Sequence, residues 1–161
     1  MSVAYAEILN GAPLARRAPG ARHELICTRL HQWMRASVAD FAATRLLAAR
    51  SEVRLSLRHT VCPDLALVTV ATGKLWLAAE IVSSDDHQPD TVIKKQVYEE
   101  MKLPRLWMID PRYDNVEVYH SSQYGLILKS ILAGRELLTE QLLPEFQLTI
   151  AELFAAQPPQ G

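Results

Sequence analysis

Residues 63–83, PDLALVTVATGKLWLAAEIVS, contain two apolar runs with a short polar interruption between them. The runs cover 64–70 and 75–82, and both are rich in the residue types that favour strands. The intervening 71–74, Ala-Thr-Gly-Lys, has the composition of a hairpin turn. This stretch therefore predicts two antiparallel strands joined by a tight turn.

The hairpin register brings two carboxylates together. If the turn centres on Thr72, residues whose numbers add to 144 face each other, and Asp64 is then opposite Glu80. Directly opposed residues have Cβ atoms about 4.5–5.5 Å apart on one face of the sheet. An Asp and a Glu are also poor strand formers, so their presence inside apolar runs needs a physical reason.

A divalent cation is one such reason. Two adjacent carboxylates repel each other, and the pKa of one of them rises unless a cation lies between them. Mg²⁺ and Mn²⁺ take carboxylate oxygens as ligands, so the sequence predicts a metal site at Asp64 and Glu80. The alternative is that one or both side chains lie at an exposed strand end, or that a shift of one residue turns them to opposite faces.

A lysine is expected close to this pair. Alternation places Val82 on the same face as Glu80, so the strand itself supplies no lysine there. The helix predicted over 90–101 must run back over the sheet, and Lys94 lies near its first turn. From there it can orient a water molecule or offset charge on a phosphate. The alternative is a solvated surface lysine, like its neighbour Lys95.

The rest of the chain predicts a mixed fold. Helical periodicity or capping residues indicate helices over 21–37, 90–101 and 150–155, the last beginning with the capping box Thr149–Glu152. Alternation or apolar runs indicate further strands over 53–57, 106–109, 116–119, 124–129 and 135–138. The order helix, strands, helix, strands, helix predicts an α/β or α+β domain with a mixed sheet.

Four local expectations follow from the same patterns. Trp33 falls on the apolar stripe of the first helix, and Asp90 is placed to cap the second. Trp76 has the same parity as Glu80, which predicts that the two share a face. The prolines in 12–20 predict an irregular segment.

Composition sets the class of protein. The chain has 161 residues with 22% charged and 7% aromatic side chains, which is typical of one globular domain spanning 1–161. Its two cysteines form no metal-binding motif. No apolar run reaches the roughly 18–20 residues that span a bilayer, and no secretory signal is recognisable. We therefore expect a cytoplasmic protein that does not enter a membrane.

Charge is distributed unevenly along the chain. The net charge is −1, which gives no general electrostatic attraction to nucleic acid. Residues 1–60 hold nine Lys and Arg against four Asp and Glu, a net +5, whereas residues 61–161 hold eight against fourteen, a net −6. The basic part can bring phosphates to a carboxylate site, or the imbalance can disappear on folding.

Several motifs, in order along most of the chain, resemble those of one family. They are Glu7 with Asn10-Gly11, His23, Pro63-Asp64, Glu80-Ile81-Val82-Ser83, Lys94 with Tyr98 four residues later, Pro104, and Trp107-Met108-Ile109-Asp110-Pro111. This ordered set resembles the Uma-two family, a group of endonuclease-like proteins in the PD-(D/E)XK nuclease superfamily. No single motif is specific, and the order of the set is the stronger signal.

The resemblance implies a restriction-endonuclease-like fold, with a central mixed β-sheet flanked by helices, and assigns roles to individual residues. Asp64 and Glu80 are expected to be the metal carboxylates. Lys94 is expected to be the catalytic lysine, supplied by the helix because Val82 stands where the commoner strand lysine would be. Three residues are expected as accessory members of the site: Glu7, His23 and Tyr98.

Two classes of function follow. The first is a Mg²⁺- or Mn²⁺-dependent endonuclease that hydrolyses DNA, acting as a homodimer because duplex cleavage needs two active sites or two visits. The second is a catalytically inactive binding or assembly module that keeps the nuclease fold. The modest net charge and the absence of an obvious DNA-reading element favour the second class.

Overall fold

The structure is a computed structural model that describes residues 3–83 and 87–156. Its α-helices are α1 (Ala21–Val38), α2 (Lys95–Glu100) and α3 (Ile150–Phe154), and a π-helix, Pro89–Lys94, leads directly into α2. The strands are β1 (Tyr5–Leu9), β2 (Ala12–Arg16), β3 (Thr44–Leu46), β4 (Val53–Arg54), β5 (Thr60–Val61), β6 (Leu65–Thr69), β7 (Leu75–Ile81), β8 (Arg105–Asp110), β9 (Asn115–Ser122), β10 (Gly125–Ala133), β11 (Leu137–Glu140) and β12 (Leu143–Thr149). The predicted loop at 83–90 lies partly outside the described residues.

The strands form three sheets. The central one has six strands in the order β10-β9-β8-β7-β6-β3, and the others have the orders β2-β1-β5-β4 and β11-β12. Within the central sheet β7 and β8 are parallel, whereas the other neighbours are antiparallel. The crossover between β7 and β8 runs through the π-helix and α2. The predicted mixed sheet is therefore confirmed.

Each face of the central sheet is covered by a different apolar layer. Ile26, Leu30 and Met34 of α1 pack on one face, together with residues of β12 and α3. Val97 and Tyr98 of α2 pack on the other face, together with residues of the four-stranded sheet. Helices thus flank the sheet on both sides, as expected from the sequence, and the strand carrying Glu80 lies in the middle.

The predicted first helix is confirmed, but the prediction that Trp33 lies on its apolar stripe is wrong. Ile26, Leu30 and Met34 repeat every four positions and are buried, which gives the helix a continuous inner face. Trp33 is 44% exposed because it lies one position off that row. The helix therefore packs through Met34 rather than through Trp33.

The predicted hairpin register is confirmed at three successive pairs. These run from Leu65–Ala79 to Leu67–Leu77, and the numbers add to 144 at each. Asp64 immediately precedes β6, and Glu80 is the next residue along β7. The same register therefore sets Asp64 opposite Glu80.

The register changes beyond this point, and the change corrects the prediction for Trp76. Val68 pairs with Leu75, which leaves Trp76 as an extra residue in a β-bulge. Its side chain packs with the α1-side core, and its Nε1 donates to Oγ1 of Thr44 at 3.1 Å. Trp76 and Glu80 therefore do not share a face, because the bulge breaks the alternation between them.

Three further segments differ from expectation. The stretch with Pro13 is ordered as β2, which is tolerated because β2 is an edge strand of its sheet. The strand predicted over 53–57 is confined to Val53–Arg54, and Leu57 is 88% exposed. Strand β12 was not predicted, whereas the cap of α3 is confirmed, since Oγ1 of Thr149 accepts from the amide of Glu152.

Among the described residues, no helix is long and apolar enough to span a membrane.

Candidate active site

Asp64 immediately precedes β6, and both of its carboxylate oxygens have partners. Its Oδ1 lies 2.9 Å from Nε2 of His23 and accepts from Nη1 of Arg50 at 2.9 Å. Its Oδ2 accepts from the amide of Ile81 at 2.8 Å, next to Glu80. Burial alone would raise the pKa of Asp64, but the hydrogen bonds with His23 and with the amide of Ile81 hold that pKa below its usual value. Asp64 is therefore ionised.

Glu80 is a buried carboxylate that contacts one cation and one hydroxyl group. It is only 1% exposed, its Oε1 contacts Nζ of Lys94, and its Oε2 accepts from the hydroxyl of Tyr98 at 3.3 Å. Burial raises the pKa of Glu80 well above its usual value, Lys94 lowers it in part, and Asp64 adds to the rise. Glu80 therefore holds a proton more readily than an ordinary glutamate.

Lys94 is a buried cation, not a surface lysine. Its ammonium lies 2.7 Å from Oε2 of Glu7 as well as against Glu80, and the residue is 1% exposed. Burial by itself would lower the pKa of Lys94, but Glu80 and the other acidic groups raise that pKa well above its usual value. Lys95, in contrast, lies over the ring of Tyr119, 4.4 Å from its centroid. The surface alternative for Lys94 is excluded.

Arg16 and Asp90 belong to the same network of contacts, and the sequence did not identify either of them as a site residue. Arg16 bridges two carboxylates, with Nη1 2.6 Å from Oε1 of Glu7 and Nη2 2.9 Å from Oδ1 of Asp90. The prediction that Asp90 caps the helix is wrong, because Asp90 lies inside the π-helix and its Oδ2 accepts from the amide of Ser83. Burial raises the pKa of Asp90. The bridge fixes the π-helix that carries Lys94.

Arg50 is the third site residue that sequence reasoning missed. It links Asp64 to Glu24, with Nη2 2.6 Å from Oε1 of Glu24. The residue lies outside any helix or strand and has φ +58°, in the left-handed region. No periodicity or motif in the sequence marks such a position.

The charges of this cluster do not balance. We define the carboxylate cluster as the four buried acids that these contacts connect, namely Glu7, Asp64, Glu80 and Asp90. Three permanent cations contact them, which are Arg16, Arg50 and Lys94. Four negative and three positive charges leave a formal −1 while His23 is neutral. Burial is the main reason that the pKa of Glu80 is raised, and the other three acids of the cluster add to that rise.

The cluster has the donor chemistry for a divalent cation. Among the described residues, no three Asp, Glu, His or Cys side chains converge as a complete protein-only metal site. Mg²⁺ usually needs only one or two carboxylates, because water and substrate phosphates supply its other ligands. Asp64 and Glu80 form such a pair, and the excess negative charge matches a cation. They fit Mg²⁺ or Mn²⁺, provided that contacts now made by Lys94, Tyr98 or His23 rearrange.

A cleft of about 650 Å³ opens beside the cluster. His23, which contacts Asp64, and Arg16, which contacts Glu7, both line it. Val82 and Ser83, which follow Glu80 and Ile81 along the chain, line it as well. A substrate in the cleft would therefore lie next to the buried acids.

The structure brings all six sequence-predicted site residues into this one region: Asp64, Glu80, Lys94, Glu7, His23 and Tyr98. Val82 is buried in the apolar layer and leaves its strand position without a lysine. The arrangement holds a charged lysine among buried carboxylates, and it can bind a cation if the present contacts of those carboxylates rearrange. The catalytic roles of these residues stay predictions.

Comparison with known proteins now adds independent information. A family model described as "Uma2: Putative restriction endonuclease" matches residues 4–151. A solved structure from Anabaena variabilis ATCC 29413, described as a "putative nuclease belonging to DUF820", superposes with a TM-score of 0.76 over 93% of this chain and 89% of that chain. Its sequence identity of 18% means that this likeness shows the fold alone. A comparison with curated proteins finds no match.

Proposed function

Because the chain belongs to the Uma2 family, whose model carries the description "Putative restriction endonuclease", we propose that it is a metal-dependent endonuclease that hydrolyses DNA phosphodiester bonds. The observation that carries this proposal is the pair of opposed buried acids, Asp64 and Glu80, with the ammonium of Lys94 against Glu80 and an open cleft beside the pair. The family description supports the same reaction class, and the solved neighbour supports the fold on which the site is built.

Each residue has a distinct task in the proposed reaction. Asp64 and Glu80 hold Mg²⁺ or Mn²⁺, which when bound activates water and stabilises charge on the phosphate. His23 and Arg50 keep Asp64 ionised and fix its orientation. Lys94, kept charged by Glu7 and Glu80, orients the attacking water or offsets the charge that develops on the phosphate oxygens.

Three contacts keep these groups in place. Tyr98 orients Glu80 through its hydroxyl. Arg16 holds Glu7 and Asp90 together, and so holds strand β1 against the π-helix. These residues act through Glu80 and Lys94, so we regard them as positioning residues. The layer of side chains around them excludes water, which strengthens each electrostatic interaction.

Incubation with DNA in defined metal is the test. We expect the protein to cleave long genomic DNA, which contains every short target sequence, in Mg²⁺ or Mn²⁺ and to leave it intact in EDTA. Gel electrophoresis of the products measures the reaction. Cleavage that is equally fast in EDTA would contradict metal dependence. Intact DNA in both metals would contradict the nuclease proposal.

The second candidate function, an inactive binding or assembly module, is favoured by one observation. Lys94, Tyr98, His23 and Arg50 already occupy the oxygens of both proposed metal acids. Titration calorimetry with Mn²⁺ separates the two candidates. A binding site that is lost in Glu80→Gln favours the nuclease, and the absence of such a site favours the module.

Two expectations about the protein in the cell remain predictions. One is the C₂ homodimer, which rests on the need to cut two DNA strands, and the structure describes a single chain. The other is the cytoplasmic location.

A further inference from the structure

The cleft beside the carboxylate cluster is strongly basic. Its lining, taken from the described part of the chain, contains four arginines, Arg16, Arg17, Arg22 and Arg112, and no Asp or Glu. Three of these arginines belong to residues 1–60, the part of the sequence with a net +5 charge. Folding therefore places three of the nine basic residues of this part together beside the site.

The four arginines differ in how far they are already engaged. Arg16 is committed to Glu7 and Asp90, as described above. Arg17, the next residue, is exposed and makes no hydrogen bond or ion pair within the described residues. Its guanidinium is therefore available to a ligand in the cleft.

Arg22 and Arg112 remain available despite their partners. The pair between Arg22 and Asp114 is 55% and 58% exposed, so solvent screens it and an incoming anion can compete with it. Arg112 donates from Nε and Nη2 to Asp110 at 3.0 and 2.8 Å, which fixes the plane of the guanidinium. A guanidinium has five donor hydrogens, so Arg112 keeps others for a second acceptor.

We propose that Arg17, Arg22 and Arg112 bind phosphates of a DNA strand in the cleft and lead the strand to Asp64 and Glu80. This inference rests on the proposed function, since it takes DNA as the substrate. Arginine forks match phosphate oxygens, and contacts to the backbone position a nucleic acid without reading its sequence. Arg22 is adjacent to His23, which contacts Asp64, so the bound strand reaches the cluster.

Salt dependence of binding is the measurement. Fluorescence anisotropy with a labelled DNA duplex, in EDTA so that no cleavage occurs, gives the binding constant at a series of NaCl concentrations. Each phosphate contact contributes about −0.9 to the slope of log K against log salt for a duplex. We expect each single variant, Arg17→Gln, Arg22→Gln or Arg112→Gln, to make this negative slope shallower by about 0.9. The triple variant should make it shallower by about 2.7.

Matched variants keep the result specific. Arg135→Gln removes an exposed arginine between β10 and β11, outside the cleft lining, and is expected to leave the slope unchanged. Replacing Arg17, Arg22 and Arg112 together with lysine retains the charge, so the slope should equal the parental value. Arg17→Gln removes no hydrogen bond or ion pair within the described residues, so a change in its slope is not expected to arise from loss of folded structure.

The failure of this proposal is distinguishable from the failure of the proposed function. A triple glutamine variant with the parental slope, or a parent protein that does not bind DNA in EDTA, overturns the assignment of the arginines. Metal-dependent cleavage by the parent protein is scored separately, so the nuclease proposal can stand when the cleft assignment falls.

Discussion

Replacing Asp64 with Asn is expected to reduce metal-dependent DNA cleavage by at least about 10³-fold, which corresponds to about 4 kcal/mol of transition-state stabilisation. The substitution removes one of two carboxylates proposed to hold the metal. The amide oxygen of Asn can still accept from the amide of Ile81, and Arg50 retains its ion pair with Glu24. The protein should therefore remain folded while activity is lost.

A buried carboxylate outside the cluster provides the matched control for Asp64→Asn. Glu140 is 4% exposed and pairs with Arg105, away from the cluster. Glu140→Gln is expected to cost stability and to keep cleavage within a few-fold of the parent. Cleavage rates in Mg²⁺ and Mn²⁺, with circular dichroism to verify folding, measure both effects. If Asp64→Asn cleaves DNA as fast as the parent, Asp64 has no catalytic role.

Replacing Lys94 with Met is expected to destabilise the metal-free protein by about 3–5 kcal/mol, because it removes the buried partner of both Glu7 and Glu80. The formal charge of the cluster would change from −1 to −2. A loss of this size is a large share of the stability of a typical domain. Urea unfolding followed by circular dichroism measures the difference.

Glu80→Gln is the matched comparison, because it removes a charge of the opposite sign from the same contact. It leaves Lys94 paired with Glu7 and makes the cluster formally neutral. We expect its free energy of unfolding to lie within about 1 kcal/mol of the parent at neutral pH, since the amide replaces a carboxyl group whose charged form burial disfavours. If Lys94→Met is as stable as Glu80→Gln, Lys94 is not the cation that balances the cluster.

The stability of the parent protein and the stability of Glu80→Gln should depend differently on pH. Burial raises the pKa of Glu80 in the folded state, so the folded protein binds a proton that the unfolded chain has already lost. The stability that Glu80 contributes therefore declines as pH rises from the ordinary glutamate range through the raised pKa. Glu80→Gln lacks this decline, so its stability relative to the parent should increase with pH.

The proposed metal pair could be located from sequence because a hairpin obeys a simple rule. Alternation and the turn at 71–74 set the register, and the pairs Leu65–Ala79 and Leu67–Leu77 follow it. The bulge at Trp76 lies beyond these pairs and leaves no mark in the residue types. It therefore changed the face of Trp76 without disturbing the register between Asp64 and Glu80.

The cations were harder to predict than the acids. Lys94 belongs to a segment that the apolar repeat marks as helical, so its place near the sheet could be predicted, with a surface position as the alternative. Arg50 lies in an irregular segment and has φ +58°. Arg16 lies on β2, which was not predicted because the prolines of 12–20 indicated an irregular segment. Their contacts with Asp64, Glu7 and Asp90 span 14, 9 and 74 positions, respectively, and only the fold determines which residues meet.

Crystals soaked in Mn²⁺ test most directly whether Asp64 and Glu80 bind a divalent metal together. The predicted result is an anomalous difference peak within bonding distance of one carboxylate oxygen from each residue, and no such peak in Glu80→Gln crystals treated in the same way. The nitrogen of Lys94 should lie outside bonding distance of the ion and remain close to the cluster. The account would be contradicted if crystals soaked in saturating Mn²⁺, with the cleft open to solvent, showed no anomalous peak between the two carboxylates.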